Sequence, residues 1–169
     1  MNQLVGETLD RLDEMPGVEL MRELQPVPGI RADRQQIQSV VTNLVLNARD
    51  AVSGERGENH ASRTISAERA ENHASRTMGP GGRIQVRTDH RDGRVVLSVT
   101  DNGCGMSPAF LKESLFRPFQ STKKKGLGIG MFQSRMIVEA HGGSIQVESE
   151  TGRGTTFRVS LPACPELKH

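Results

Sequence analysis

Between Asp33 and Val52 the apolar residues Ile37, Val40, Val41, Leu44, Val45, Ala48 and Val52 recur at the spacing of one helical face, and Asp33 stands where a helix N-cap belongs. A helix of this length needs a partner surface for its apolar stripe. It carries a second stripe as well, because Asn43, Asn47 and Asp50 stand at i, i+4 and i+7, within an arc of roughly 60° at the border of the apolar face. Amides are costly to half-bury without partners, so polar groups on the rim of a core suggest a liganded cleft. Three ordinary surface residues remain the plainer alternative for this helix taken alone.

The rest of the chain supplies the partner surface. Residues 2–14 hold Leu4, Val5, Leu9 and Leu12 at helical spacing, the expected tail of a helix arriving from an upstream segment, and Pro16-Gly17 stops it. Residues 18–24 (VELMREL) alternate Val18, Leu20 and Arg22 against Glu19, Met21 and Glu23 as a strand. RIQVRT (83–88) and RVVLSVT (94–100) flank Asp92-Gly93, a hairpin signal. A helix is expected from about Ile129 to Ala140, ended by His141-Gly142-Gly143, and SIQVES (144–149) and TTFRVSL (155–161) flank a second turn. That order predicts an α+β, two-layer sandwich: a mixed, mostly antiparallel sheet of about five strands, covered on one face by about three helices.

One stretch stands outside this scheme. GERGENHASRTIS (54–66) is followed at once by AERAENHASRTMG (67–79), a tandem duplication with ENHASRT repeated letter for letter. Two such copies make no solenoid or propeller, and a segment with so few large apolar side chains is expected to be a solvated insertion between the long helix and the strand RIQVRT. His60 and His73 within it could be imagined as metal ligands or phosphoacceptors; exposed loop histidines are the plainer reading.

The chain of 169 residues has the length of one domain, and its net charge of +2 comes from scattered residues, which argues against a nucleic-acid surface. Lys123, Lys124 and Lys125 form the one short basic run. No apolar segment has the length of a membrane span and the N-terminus is no signal peptide, so a cytoplasmic domain without membrane contact is expected. Cys104 and Cys164 lack metal-site spacing and are expected to be reduced thiols.

Two glycine-bearing segments add chemistry. Asp101-Asn102-Gly103-Cys104-Gly105-Met106 directly follows the strand RVVLSVT, placing a carboxylate at a strand end where it can accept from an amino group on a purine. Gly126-Leu127-Gly128-Ile129-Gly130-Met131 opens a helix, and glycines before a helix N-terminus expose backbone N–H groups to phosphate. Neither the P-loop nor the dinucleotide pattern is matched.

In this order the elements resemble the catalytic domain of sensor histidine kinases, of the Bergerat-type fold shared with the gyrase, Hsp90 and MutL ATPases. NLVLNARDAV (43–52) resembles the N box, DNGCGM (101–106) the G1 box, FRPFQSTK (116–123) the F box, GLGIGM (126–131) the G2 box and GRGTTF (152–157) the last glycine box. The resemblance covers nearly all of residues 18–161 apart from the duplication. It implies a catalytic domain over residues 18–164, preceded at 1–17 by the remnant of a connection to a dimerisation domain.

The resemblance also assigns roles, with ATP and Mg2+ as the ligands. Asn47 would coordinate the metal and Asn43 would help hold the metal-phosphate group. Asp101 would receive the adenine amino group, Gly105 would form the pocket floor and Thr155 would close it. Gly126, Gly128 and Gly130 would form the hinge of a lid, and Lys123 would reach the terminal phosphate. Asp50, Ala51, Gly103, Met106, Phe119, Leu127, Ile129 and Met131 would complete the nucleotide site. Where the gyrase, Hsp90 and MutL ATPases have a water-activating glutamate, this chain has Asn43, which cannot act as a general base. Phosphoryl transfer to a histidine is therefore implied in preference to hydrolysis.

Three departures accompany the resemblance. None of His60, His73, His90, His141 and His169 stands in a phosphoacceptor context, so that histidine is expected on a partner dimerisation domain, with a response regulator downstream. The lid, about residues 117–127, is short, and Asp50 occupies a place where many members have lysine or another residue. A conformational ATPase and a non-catalytic nucleotide-binding interaction module are the competing readings.

Overall fold

Asp33 caps the long helix as its position requires: its carboxylate accepts from Gln36 N–H at 2.8 Å, and the helix runs Arg34–Val52. A computed structural model describes residues 1–12, 15–54, 81–120 and 127–164. The duplication beyond Gly54, the run Lys123, Lys124 and Lys125, Gly126 and His169 lie outside the described residues.

The elements in chain order are α1 (Asn2–Arg11), β1 (Val18–Leu24), α2 (Arg34–Val52), β2 (Gly82–Arg91), β3 (Arg94–Asp101), α3 (Pro108–Glu113), α4 (Gly130–Ala140), β4 (Ser144–Glu150) and β5 (Gly154–Pro162). The strands form one sheet in the order β1-β2-β3-β5-β4, with β1 parallel to β2 and every other pair antiparallel. The parallel pair follows from α2, which carries the chain from β1 to β2 across the sheet face as a parallel connection requires. At the expected hairpin Asp92 and Gly93 both have positive φ, 51° and 70°, the backbone of a turn whose twist matches the strands it joins.

Alternation along the strands builds the two faces. Ile84 and Val86 of β2, Val95, Leu97 and Val99 of β3, and Phe157, Val159 and Leu161 of β5 are buried on one side. Against them α2 lays Ile37, Val40, Val41, Leu44, Val45 and Ala48, and α4 contributes Met131 and Val138. Helix α1 belongs to the same cluster through Leu4, Val5 and Leu9, with Asn2 tying its start to Thr88 Oγ and Gln25 O. The opposite face is an open polar concavity of about 650 Å³ among the described residues. Its charges are largely paired, Arg158 with Glu148 at 2.6 Å and Arg91 with Asp89 at 2.7 Å, which makes it a solvated face.

Four helices are present among the described residues, and α3 is the one the sequence reading did not include. Ser107 caps it by accepting from Phe110 N–H at 3.3 Å, with Pro108 in its first turn. Its six residues bury no side chain fully, so no periodic apolar pattern announces it. Both cysteines are free thiols, and no helix among the described residues is long and apolar enough to cross a membrane.

Candidate nucleotide site

The two polar asparagines of α2 face different neighbours. Asn43 is half-buried and its Nδ2 donates to Ser134 Oγ at 3.2 Å and to Gly130 O at 3.4 Å, both on α4. A carbonyl oxygen can only accept, so this bond fixes the amide: Nδ2 toward α4, and Oδ1 without a hydrogen-bond partner among the described residues. One turn on, Asn47 is also half-buried, and a turn further Ala51 lies against the loop after β3. Helix α2 thus runs from the start of α4 to the Asp101 loop, with Asn47 between them. Asp50 is buried, at 7% exposure, and accepts from Arg49 Nε and Nη2 at 3.1 and 2.9 Å.

The loop after β3 is held from three sides. Cys104 N–H donates to Ala51 O at 3.2 Å, Gly152 N–H donates to Cys104 O at 2.8 Å, and Met106 N–H donates to Ser149 Oγ at 2.9 Å. Asp101, buried at the end of β3, accepts from Gly103 N–H at 2.8 Å through Oδ1. Gly105 has φ 64°, and a Cβ there would lie 2.0 Å from Glu150 O, so the loop seats on the β4–β5 turn only because this residue has no side chain. Met106 is buried in the core and anchors the far side of the loop.

Asp101 and Thr155 are direct cross-strand partners on the inner sheet face, and Thr155 is in turn the partner of Ser149. Direct partners on one face stand about 4.5–5.5 Å apart at Cβ. The adenine-site candidates Asp101 and Thr155 are therefore neighbours, both buried.

At the end where phosphate is expected, Ile129 is the N-cap of α4 and Met131 is buried beneath its first turn. Phe119 sits in the left-handed region at φ 63° with its ring exposed, and its N–H donates to Gly128 O at 3.1 Å. Leu127 is exposed too. Lys123 and Gly126 fall outside the described residues, so the structure does not place these two members of the expected site.

Two hydroxyls that the sequence reading passed over touch the site. Ser134, fully buried, meets the Asn43 amide, and Ser149 meets the Asp101 loop and Thr155. Ser134 is signalled only by standing four residues after Gly130 on a helix. Ser149 is signalled only by standing opposite Thr155 across the turn.

Among the described residues no group of three or more His, Cys, Asp or Glu could hold a metal ion. The oxygen donors of α2 are amides one turn apart, a set that suits a hard cation taking one or two protein oxygens and completing its shell with phosphate and water. Hydrogen bonds from Arg34, Arg91 and Arg158 hold Glu7, Asp89 and Glu148 below their ordinary values.

The sequence model of the histidine kinase-, DNA gyrase B- and HSP90-like ATPase family matches residues 32–165. The chain is 33% identical to the signal transduction histidine-protein kinase AtoS of Escherichia coli, covering 98% of this chain and 24% of that protein. It is 35% identical to the C4-dicarboxylate transport sensor protein DctS of Rhodobacter capsulatus, covering 83% and 18%. The chain thus spans a quarter or less of these relatives' length. The solved catalytic domain of the histidine kinase ThkA superposes with a TM-score of 0.71 at 27% identity, covering 98% of this chain and 94% of that one. The chain belongs to the histidine kinase-, DNA gyrase B- and HSP90-like ATPase family, and within it to the ATP-binding catalytic domains of sensor histidine kinases.

Proposed function

We propose that the chain binds Mg-ATP between α2, the Asp101 loop and the start of α4, and that it transfers the γ-phosphoryl group to a histidine on a separate dimerisation domain of the same kinase. In this reading Asp101 and Thr155 hold adenine, Asn47 would hold the metal through its amide oxygen, and Asn43 would help hold the metal-phosphate group. Gly128 and Gly130 would lie beside the phosphates, and the resemblance gives Gly126 a place in the same hinge and Lys123 a role on the terminal phosphate. When bound, Mg2+ would supply neutralisation of the phosphate charge. The bond between the β–γ bridging oxygen and the γ-phosphorus breaks, ADP leaves, and the neutral imidazole nitrogen forms the new P–N bond.

The observation that carries this reading is the Asn43 amide bonded to Gly130 O and Ser134. It supports a side chain that cannot take up a proton at the position where the resemblance gives the ATPase relatives a water-activating glutamate, which favours an imidazole acceptor over hydrolysis. Residues 1–17 would connect this domain to the histidine-bearing helices, entering through α1. A structure of ThkA in complex with the response regulator TrrA, whose kinase chain is 28% identical to this one, supports a response regulator as the downstream partner.

Calorimetric titration with ADP and Mg2+ tests the site, and incubation with [γ-32P]ATP and the cognate dimerisation domain tests the reaction. Saturable binding lost in Asp101→Ala and Asn47→Ala, with label appearing on the dimerisation domain's histidine, is expected. Steady release of inorganic phosphate by the chain alone, without labelling, would overturn phosphotransfer in favour of an ATPase.

A further inference from the structure

A serine hydroxyl has one proton and two lone pairs, and Ser149 uses all three. Its Oγ accepts from Met106 N–H at 2.9 Å, donates to Gly154 O at 3.0 Å and lies 2.9 Å from Thr155 Oγ1. The Gly154 carbonyl can only accept, so the one proton of Ser149 goes there. The amide N–H of Met106 can only donate and takes one lone pair. The remaining bond to Thr155 then has one possible polarity: Thr155 donates and Ser149 accepts.

The consequence lies on the other side of Thr155. With its proton committed to Ser149, Thr155 Oγ1 meets a ligand only as an acceptor. Its cross-strand neighbour Asp101 is a carboxylate, also an acceptor. The row Asp101, Thr155, Ser149 crosses β3, β5 and β4 on the inner face, so the wall formed by its first two members shows lone pairs and no hydroxyl proton.

We propose that Ser149 is a positioning residue that fixes Thr155 as an acceptor and thereby lets the pocket distinguish a 6-amino purine from a 6-oxo purine. An exocyclic amino group brings protons to this wall. A 6-oxo group brings another lone pair to it and leaves it unpaired. The proposal rests on the nucleotide reading of the Asp101 pocket, and it adds the residue that sets the pocket's hydrogen-bond polarity.

The test compares ADP with inosine diphosphate, which differs at the 6-substituent and the adjoining N1 proton, by calorimetric titration of the full chain. The wild-type chain should prefer ADP by roughly tenfold, the size of one unmade hydrogen bond. Ser149→Ala should lower that preference to about threefold or less, because Thr155 regains a proton it can offer to the 6-oxo group. Ser149→Thr keeps the hydroxyl and should restore the wild-type ratio. In a Thr155→Val background the Ser149→Ala change should leave the ratio where it was. Equal weakening of both nucleotides by Ser149→Ala, with the ratio unchanged, would mean a purely structural serine and would overturn the proposal. Normal ADP binding by Asp101→Ala would remove the pocket itself, and a wild-type chain without preference would remove the selectivity; either outcome also overturns it.

Discussion

Single side chains account for much of how this site is assembled, and Gly105 shows it most sharply. Gly105→Ala would place a methyl 2.0 Å from the Glu150 carbonyl in a left-handed backbone, whereas the same change at Gly6, inside α1, meets nothing within 4 Å. Thermal denaturation should show Gly105→Ala destabilised by about 2 kcal/mol or more and Gly6→Ala stabilised by about 0.5–1 kcal/mol. ADP affinity should fall in the first and hold in the second. Ser134→Ala should cost about 1–2 kcal/mol, because it leaves one buried proton of the Asn43 amide unpaired. Asp101, Asn43 and Asn47 could be singled out as candidates from the sequence because each is marked by local spacing, at a strand end or along one helix. Ser149 could not be, since its meaning depends on the register of β4 on β5 and of β5 on β3, which no local pattern states.

Elements were legible in proportion to their periodicity. Helix α2 and the strands of both hairpins form close to the expected residues, because their apolar spacing is long and their turns carry distinctive chemistry. Helix α1 runs to Arg11 with Leu12 as its C-cap, and the short α3 rests on a cap and a proline instead of a repeating pattern. The pairing of β1 with β2 is a property of the crossover and could only be inferred as a mixed sheet. Two helices are also joined by a contact between their ends: His141 Nε2 accepts from Asp33 N–H at 3.0 Å while Nδ1 donates to Ile137 O at 2.7 Å. This links the C-terminus of α4 to the N-terminus of α2. Asp33→Ala should lose the cap to Gln36 and lower stability by about 1 kcal/mol, with Asp33→Asn retaining most of it, as measured by urea denaturation. His141→Ala should cost a comparable amount.

At the scale of the whole molecule, the sheet divides the chain into a dry side bearing the site and a wet side carrying paired charges. Glu148, held below its ordinary value of 4.5 by its hydrogen bond from Arg158, lies on the wet side. So does Asp89, held below 3.8 by Arg91, while Glu7 on α1 is held below 4.5 by Arg34. Carboxylates depressed in this way contribute stability that is fully present above their ordinary values and is lost as pH falls through the folded ones. Stability should therefore stay level near neutrality and decline on acidification below about pH 4.5, weakly, because all three groups are exposed to solvent and salt. Replacing the three together (Glu7→Gln, Asp89→Asn, Glu148→Gln) should flatten that acid limb in denaturation curves recorded across pH.

The bond from Phe119 N–H to Gly128 O has a bearing on how such a chain can change over time. It clips together the two points from which the stretch 120–127 departs and to which it returns, so the surrounding framework does not register how many residues are spliced between them. Loop-closure cost grows only logarithmically, by about 0.6 kcal/mol for each doubling of length. That makes this one position where insertions and deletions can accumulate while the row of Asp101, Thr155 and Ser149 stays where it is.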